Sequence, residues 1–339
     1  MPEVVGEYLD RLCNIEMRMA GLVRGTTHRR YDVARRVQGH PLTYLAASKI
    51  IENVHKGDFV LILTGSGSPL WLPWGETDGP LGAACLARAI DLGLQAKSVF
   101  ISEERFLEPI KKTCVAAGVS VLPKEMVTKR NHAAVFLPFP QGEKGARDRA
   151  ESLLDEFNPK AVVSVERTGP NEKGVFHTQL GTAKEPDTLA HLHWLVVSAK
   201  ERNILTIGVG DGGNEIGYGL IKEELKEIGL GSTCRCPCES GLISAVATDV
   251  LVSAAVSNWG AYCVAGCIAH LLKSEELLHD AATELRMLEA CVSAGAGDGH
   301  YGAQILSVDG GIGYECNQAF ITMARTLVKL ALKEIQREY

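Results

Sequence analysis

The sequence of 339 residues has no run of basic side chains, no interleaving of basic with aromatic residues, and only 6% aromatic content. With 35 Lys and Arg against 41 Asp and Glu, a net charge of −6, it lacks the electrostatic footprint that tracks phosphates, and no nucleic-acid partner is expected. No basic n-region followed by an apolar h-region opens the chain. The start, "MPEVVGEYLDRLCNIEMRM", is charged throughout and reads as an amphipathic helix, so secretion is not signalled. Nor is there an uninterrupted apolar span of about 20 residues. The most apolar long segment, "LVSAAVSNWGAYCVAGCIAHLL", carries Ser, Asn and His and reads as a buried helix with its lead-in, so no membrane partner is expected. Repeats, low-complexity tracts and long linkers are absent too. The weakest seam is "FPQGEKGARDR", where a two-lobed division near 139–149 is conceivable, but the expectation is one α/β catalytic domain over 1–339.

What is present points to a large core, since 46% of the residues are hydrophobic. Ten cysteines are a generous number, and Cys13, Cys85, Cys114, Cys263, Cys267, Cys291 and Cys316 fall within apolar helical patterns. They read as buried small hydrophobes in a reduced, cytoplasmic setting. "TCRCPCES" differs, because Cys234, Cys236 and Cys238 alternate. Alternate spacing puts three thiols on one side of an extended segment, yet zinc sites more often use C-x2-C pairs, so an adventitious cluster is the expectation over a structural metal site.

Eight β-rich runs recur with helical patterns between them, at 58–65, 96–101, 119–123, 133–138, 161–166, 204–210, 249–254 and 304–310. They are nearly continuous apolar runs, which requires cover on both faces. The expected fold is therefore α/β: a predominantly parallel sheet of about 7–8 strands flanked by helices on both faces, Rossmann-like and three-layered. In such sheets ligands sit beyond the carboxyl ends of the strands. Polar residues collect in those loops: Glu76 and Asp78 after the first run, Glu166, Arg167 and His177 after the fifth, Asp211, Asn214 and Glu215 after the sixth.

The last of these loops, "IGVGDGGNEIGYG", has the dinucleotide spacing Gly208, Gly210, Gly213. A nucleotide or NAD site there also needs an acid about 20 residues on at the tip of a second strand, where the sequence reads "KEIGLGSTCRC". Asp211 would also face and repel the phosphates. The same residues suit a cation or an ammonium group, with Asp211, Asn214 and Glu215 as oxygen donors and glycines allowing a tight turn. A plainer reading makes Asp211 and Asn214 caps of a following helix.

Four blocks taken together, "ETDGPLGAACLARAI", "VERTG…GVFHTQLG", "GVGDGGNEIGYG" and "VSNWGAY", resemble the C-terminal catalytic-domain family of D-glutamate cyclase, in order from about Gly65 to Gly313. The resemblance implies a lyase that condenses D-glutamate to 5-oxo-D-proline with loss of water, and suggests the stand-alone microbial type. That reaction needs a base for the substrate ammonium, for which Asp211, Glu215 and Glu76 are the catalytic candidates. Arg167 is the expected clamp for a carboxylate, though it could equally neutralise Glu166. Glu166, Asn214, Asn258, Asp78, His177, Gly212 and Gly213 complete the expected substrate-binding set, with His177 alternatively a packed histidine and Asn258 a helix cap. Asp211, Asp78 and Asp298 are the expected ligands of a divalent ion such as Mn2+ or Mg2+, and no organic cofactor is expected. The expected partner is a small acidic amino acid, with a homo-oligomer left open. A nucleotide-binding enzyme and a non-catalytic amino-acid sensor stand as alternatives.

Overall fold

The computed structural model describes residues 2–18 and 25–333. Helices α1 (Pro2–Cys13), α2 (Thr27–Gln38) and α3 (Leu42–Asn53) come first. Strand and helix then alternate: β1 (Phe59–Thr64), α4 (Pro80–Leu94), β2 (Lys97–Ser102), α5 (Glu104–Ala116), the single turn α6 (Lys124–Val127), β3 (Ala134–Pro138), α7 (Ala146–Phe157), β4 (Ala161–Val165), α8 (His193–Glu201), β5 (Leu205–Gly210), α9 (Lys222–Glu227) and β6 (Val250–Ser253). After α10 (Ser257–Leu271) and α11 (Ala281–Ser293) come a short hairpin, β7 (Ser307–Val308) with β8 (Ile312–Gly313), and α12 (Tyr314–Leu332).

The six long strands form one sheet in the order β3-β2-β1-β4-β5-β6, and every neighbouring pair is parallel. The chain starts in the middle, works outward to β3, then returns to lay β4 beside β1. Strand order therefore reverses between β1 and β4, the switch point at which such sheets open a crevice. Side chains alternate across the sheet with period two. Val60 and Ile62 enter the core shared with α3, α4 and α10, whereas Leu61 and Leu63 enter the opposite core under α7 and α8. This two-sided burial is why the strands read as continuous apolar runs.

The expected count of 7–8 strands is high by the runs at 119–123 and 304–310. The first makes only an isolated bridge, Val121 with Ala134, before Pro123 leads into α6. The second is cut short after Val308 by Gly310 and Gly311, both at φ +80°, which fold the chain back into the β7–β8 hairpin.

The apolar segment expected as a buried helix with its lead-in becomes β6 and α10. Thirteen residues of α10 are buried, and it packs on α4, α3, α1 and α12. Among the described residues, no helix is long and apolar enough to cross a membrane. The contact between α4 and α10 depends on Gly82, where a Cβ would stand 2.8 Å from the Asn258 Cα and 2.9 Å from the Ala261 Cβ. Alanine favours a helix over glycine by about 1 kcal/mol, but overpacking of this kind costs about 1–3 kcal/mol. A Gly82→Ala variant is thus expected to unfold at a lower temperature than the wild type. An unchanged or higher melting temperature would show that the two helices separate freely.

Candidate active site

Two helix N-termini meet at the carboxyl edge of the sheet and cap each other. Asp78, just before α4, accepts from the amides of α10: Oδ1 from Asn258 N at 2.8 Å and Oδ2 from Ser257 N at 3.1 Å. Asn258, in the first turn of α10, returns the arrangement, its Oδ1 accepting from Gly79 N at 2.9 Å and Gly82 N at 2.7 Å. Its Nδ2 donates to the Thr77 carbonyl at 3.0 Å. The capping is therefore exchanged between helices. Because the peptide dipoles of α4 and α10 both end here, partial positive charge faces the acids around it.

Beyond the ends of β1, β4 and β5 lies a cavity of about 440 Å³. Asp78, Glu166 and Asp211 are buried in its wall, each with a carboxylate oxygen within 4.8 Å of the other two. Glu76 and Asp309 line the same space. Glu166 holds a backbone φ of +49°, a strained value for a residue with a long side chain, and the Ser257 hydroxyl donates to its Oε2 at 2.5 Å. Asp211 accepts from Gln179 Nε2 at 2.6 Å and pairs with Arg18 Nη2 at 2.5 Å. Arg18 is itself committed to Asp309 at 2.8 Å and to the Ala255 carbonyl.

Lys184 is the second cation of the cavity. Its Nζ touches only hydroxyls, Thr168 Oγ1 at 3.1 Å and Ser66 Oγ at 3.3 Å, and it forms no ion pair among the described residues. Asn214 donates through Nδ2 to the His177 carbonyl at 3.0 Å, while its buried Oδ1 has no partner among the described residues. The cavity thus offers an unpaired acceptor and an unpaired ammonium.

Five acids against two cations leave negative charge in excess. Burial pushes the carboxyls of Asp78, Glu166 and Asp211 well above the usual range. Neighbouring acids raise them further, Asp309 for Asp78 and Glu215 for Glu166, while Arg18 opposes the rise at Asp211. Burial raises the half-buried Glu76 to about 7 against the pull of Lys184. Burial also lowers Lys184, with Glu76 opposing.

The structure brings Glu76, Asp78, Glu166, Asp211 and Asn214 together and places the other expected residues elsewhere. Arg167, expected as the carboxylate clamp, is turned away from the cavity. Its Nη1 and Nη2 each donate to Glu103 at 2.6 Å, and the remaining bonds go to the Gly65 and Ala190 carbonyls. Burial would raise Glu103, but this guanidinium holds it below the usual range.

Glu215 folds back on its own loop, accepting from Gly212 N and Gly213 N at 2.8 Å each. Those amides are thus closed to substrate, and also to the pyrophosphate of the nucleotide alternative. No helix starts at Gly213 either, so Asp211 and Asn214 cap none. Asn258 serves as a cap, and the His177 ring faces Cys236 Sγ at 3.2 Å. Asp298, expected as a metal ligand, is saturated by His300 N, Tyr301 N, Gly311 N and the Ser307 hydroxyl. Glu166, expected only as a substrate-binding residue, occupies the place beside Asp78 and Asp211 that had been expected of Asp298.

Sequence reasoning missed Lys184, Arg18 and Gln179 as cavity residues. Arg18 lies between α1 and α2, and Gln179 and Lys184 lie far along the strap that runs from β4 to α8, 14 and 19 residues beyond the end of the strand.

The sequence model of the family described as "D-glutamate cyclase-like, C-terminal" matches residues 31–325. The chain belongs to that family. A curated relative, human "D-glutamate cyclase, mitochondrial", is 28% identical over 256 residues, covering 72% of this chain and 38% of the relative. The chain spans less than half the length of that cyclase. The family match includes every acid of the cavity and both of the mutually capping helices, but not Arg18.

The cross-cap is testable by itself. In an Asn258→Ala variant the buried Gly82 amide loses its acceptor, and Gly79 keeps only Asp78. The expected cost is about 1–3 kcal/mol in chemical denaturation. A loss within about 0.5 kcal/mol, the range of ordinary surface substitutions, would show that the cap does not hold the helices.

Proposed function

We propose that the cavity cyclises an acidic amino acid, D-glutamate to 5-oxo-D-proline, with release of water. The observation that carries the reading is the pairing of the unpaired Lys184 ammonium with a buried, excess-negative acid cluster in one small cavity. A dicarboxylic amino acid presents the complementary charges: carboxylates for Lys184, and an ammonium for Asn214 Oδ1 and the acids. The human relative's name, D-glutamate cyclase, supports the choice of substrate and enantiomer.

Cyclisation removes two protons from the substrate nitrogen and delivers two to the departing oxygen, so the side chains need only relay them. Glu76 is the fitting base, because its carboxylate reaches the cavity while Asp211 is held by Arg18 and Gln179, and Glu215 by loop amides. The carboxyls of Asp78 and Glu166, whose proton affinity burial and neighbouring acids raise, suit donation to the oxygen that leaves as water. The wall brings amine and carboxyl carbon together, and the gain from such confinement is large for a five-membered ring. Partial positive charge from the ends of α4 and α10 favours the negative charge that develops on the tetrahedral intermediate.

The buried oxygen donors of Asp78, Glu166 and Asp211, in an excess of negative charge, also fit a hard divalent cation such as Mn2+ or Mg2+. When bound, that ion would supply Lewis-acid polarisation of the reacting carboxylate.

The deciding assay incubates the protein with D- and L-glutamate, with and without Mn2+, and follows 5-oxoproline by chiral chromatography. 5-Oxo-D-proline is expected from the D-enantiomer, and product from neither would overturn the reading. Lys184→Met is expected to raise KM, and Glu76→Gln to lower kcat by about 10²-fold or more, the usual contribution of a positioned acid or base. Wild-type kinetics in both variants would remove these residues from the mechanism.

A further inference from the structure

Outside the carboxylate cavity the chain gathers three thiols around one imidazole. Cys234, Cys236 and Cys238 lie between α9 and β6, and His177 lies in the strap between β4 and α8. The His177 Nε2 is 3.2 Å from Cys236 Sγ and 3.7 Å from Cys238 Sγ. The sulfurs are separated by 3.2 Å (Cys236 to Cys238), 3.5 Å (Cys234 to Cys238) and 3.6 Å (Cys234 to Cys236). All four ligand atoms fall within 4.8 Å of one another, and the three cysteines are free of disulfides.

A tetrahedral zinc ion, with Zn–S of about 2.3 Å and Zn–N of about 2.0 Å, separates its ligand atoms by about 3.5–3.8 Å. Four of the measured spacings lie within about 0.3 Å of those values, and the Cys236–Cys238 pair is about 0.6 Å closer. We propose that Cys234, Cys236, Cys238 and His177 form a structural Zn2+ site.

The alternate C-x-C-x-C spacing lacks the usual paired pattern, and the fourth ligand comes from another loop, so spacing alone points to an adventitious cluster. The fold changes that, because it aims a buried imidazole nitrogen at the sulfurs. Three sulfurs and one imidazole are soft donors that select zinc over the hard ions suited to carboxylates, and four protein ligands leave no open position for chemistry.

The surroundings are those of a thiolate site. Asn171 Nδ2 donates to Cys238 Sγ at 3.4 Å and to the Gly241 carbonyl at 2.8 Å, tying sulfur to the backbone around it. Arg235 N donates to the Gly181 carbonyl at 2.8 Å, which lays the cysteine segment along the strap. The strap is one wall of the cavity: the residues after His177 include Gln179, on Asp211, and Lys184. The His177 carbonyl also holds Asn214. The ion pins this wall from behind.

Metal analysis of the purified, reduced full chain tests the site without any substrate, so its failure is separate from that of the cyclase reading. One zinc per chain is expected, either as purified or after titrating metal-free protein with Zn2+ against a chromophoric chelator. X-ray absorption should show three sulfur neighbours near 2.3 Å and one nitrogen near 2.0 Å. Cys236→Ser should lose the zinc, while Asp211→Asn, at the carboxylate cluster, should retain it. Stripping the zinc from wild-type protein should remove hydrogen-exchange protection from residues 171–184. Wild-type protein that holds no zinc under either condition, zinc coordinated by oxygen alone, or full zinc retention in Cys236→Ser would each overturn the proposal.

Discussion

The exchange of caps between Asp78 and Asn258 is the constraint on which the site depends. The helices concerned follow β1 and β6, which are separated in the sheet by β4 and β5. Their N-termini would otherwise be free to splay. By accepting each other's amides, the two side chains fix the helix starts against one another. Gly82 permits the approach, and Ser257, placed by the same contact, turns Glu166 inward. One interaction therefore sets the positions of two of the three clustered carboxyls and aims two dipoles at them.

The contrast between two buried charged groups separates architecture from chemistry. Glu103 and Arg167 pair bidentately, and two backbone carbonyls take the other Nη donors of the guanidinium. Breaking a buried pair of this kind usually costs about 3–5 kcal/mol, and both Nη groups of the intact pair are spent inside the fold, away from the cavity. The cavity is the opposite case. Five acids share two cations, one of which, Lys184, meets only hydroxyl groups. Charge held without compensation is unfavourable in the empty site and becomes favourable contact when a ligand of matching charge enters. The same reasoning applies to the left-handed backbone of Glu166, which the packed surroundings hold in place.

The parallel sheet was legible because strands buried on both faces leave continuous apolar runs, and the acids at strand ends followed from where such sheets open. The two surplus strands arose because hydrophobic runs report burial and not pairing: 119–123 is buried in part yet forms one bridge, and 304–310 turns on two glycines. Arg167 was misread for a physical reason: its partner Glu103 follows β2, and sequence does not show which strand ends are adjacent. Glu215 was misread because a carboxylate two to four residues from free amides closes on them before any ligand does. The cross-cap was half legible, since both capping residues stood out, but local rules assign each to its own helix. Lys184 and Arg18 left no trace in spacing or periodicity, because long-range packing alone carries them into the cavity.

The proposed reaction requires one substrate orientation: carboxylate on Lys184, amine toward Asn214 and the acid cluster. A crystal structure of the Glu76→Gln protein, in which turnover is expected to be slow, soaked with D-glutamate tests it most directly. A substrate carboxylate oxygen is expected within hydrogen-bond distance of Lys184 Nζ, and the amino nitrogen on the Asn214 Oδ1 side of the cavity. D-glutamate bound outside the cavity, or reversed with its amine against Lys184, would contradict it.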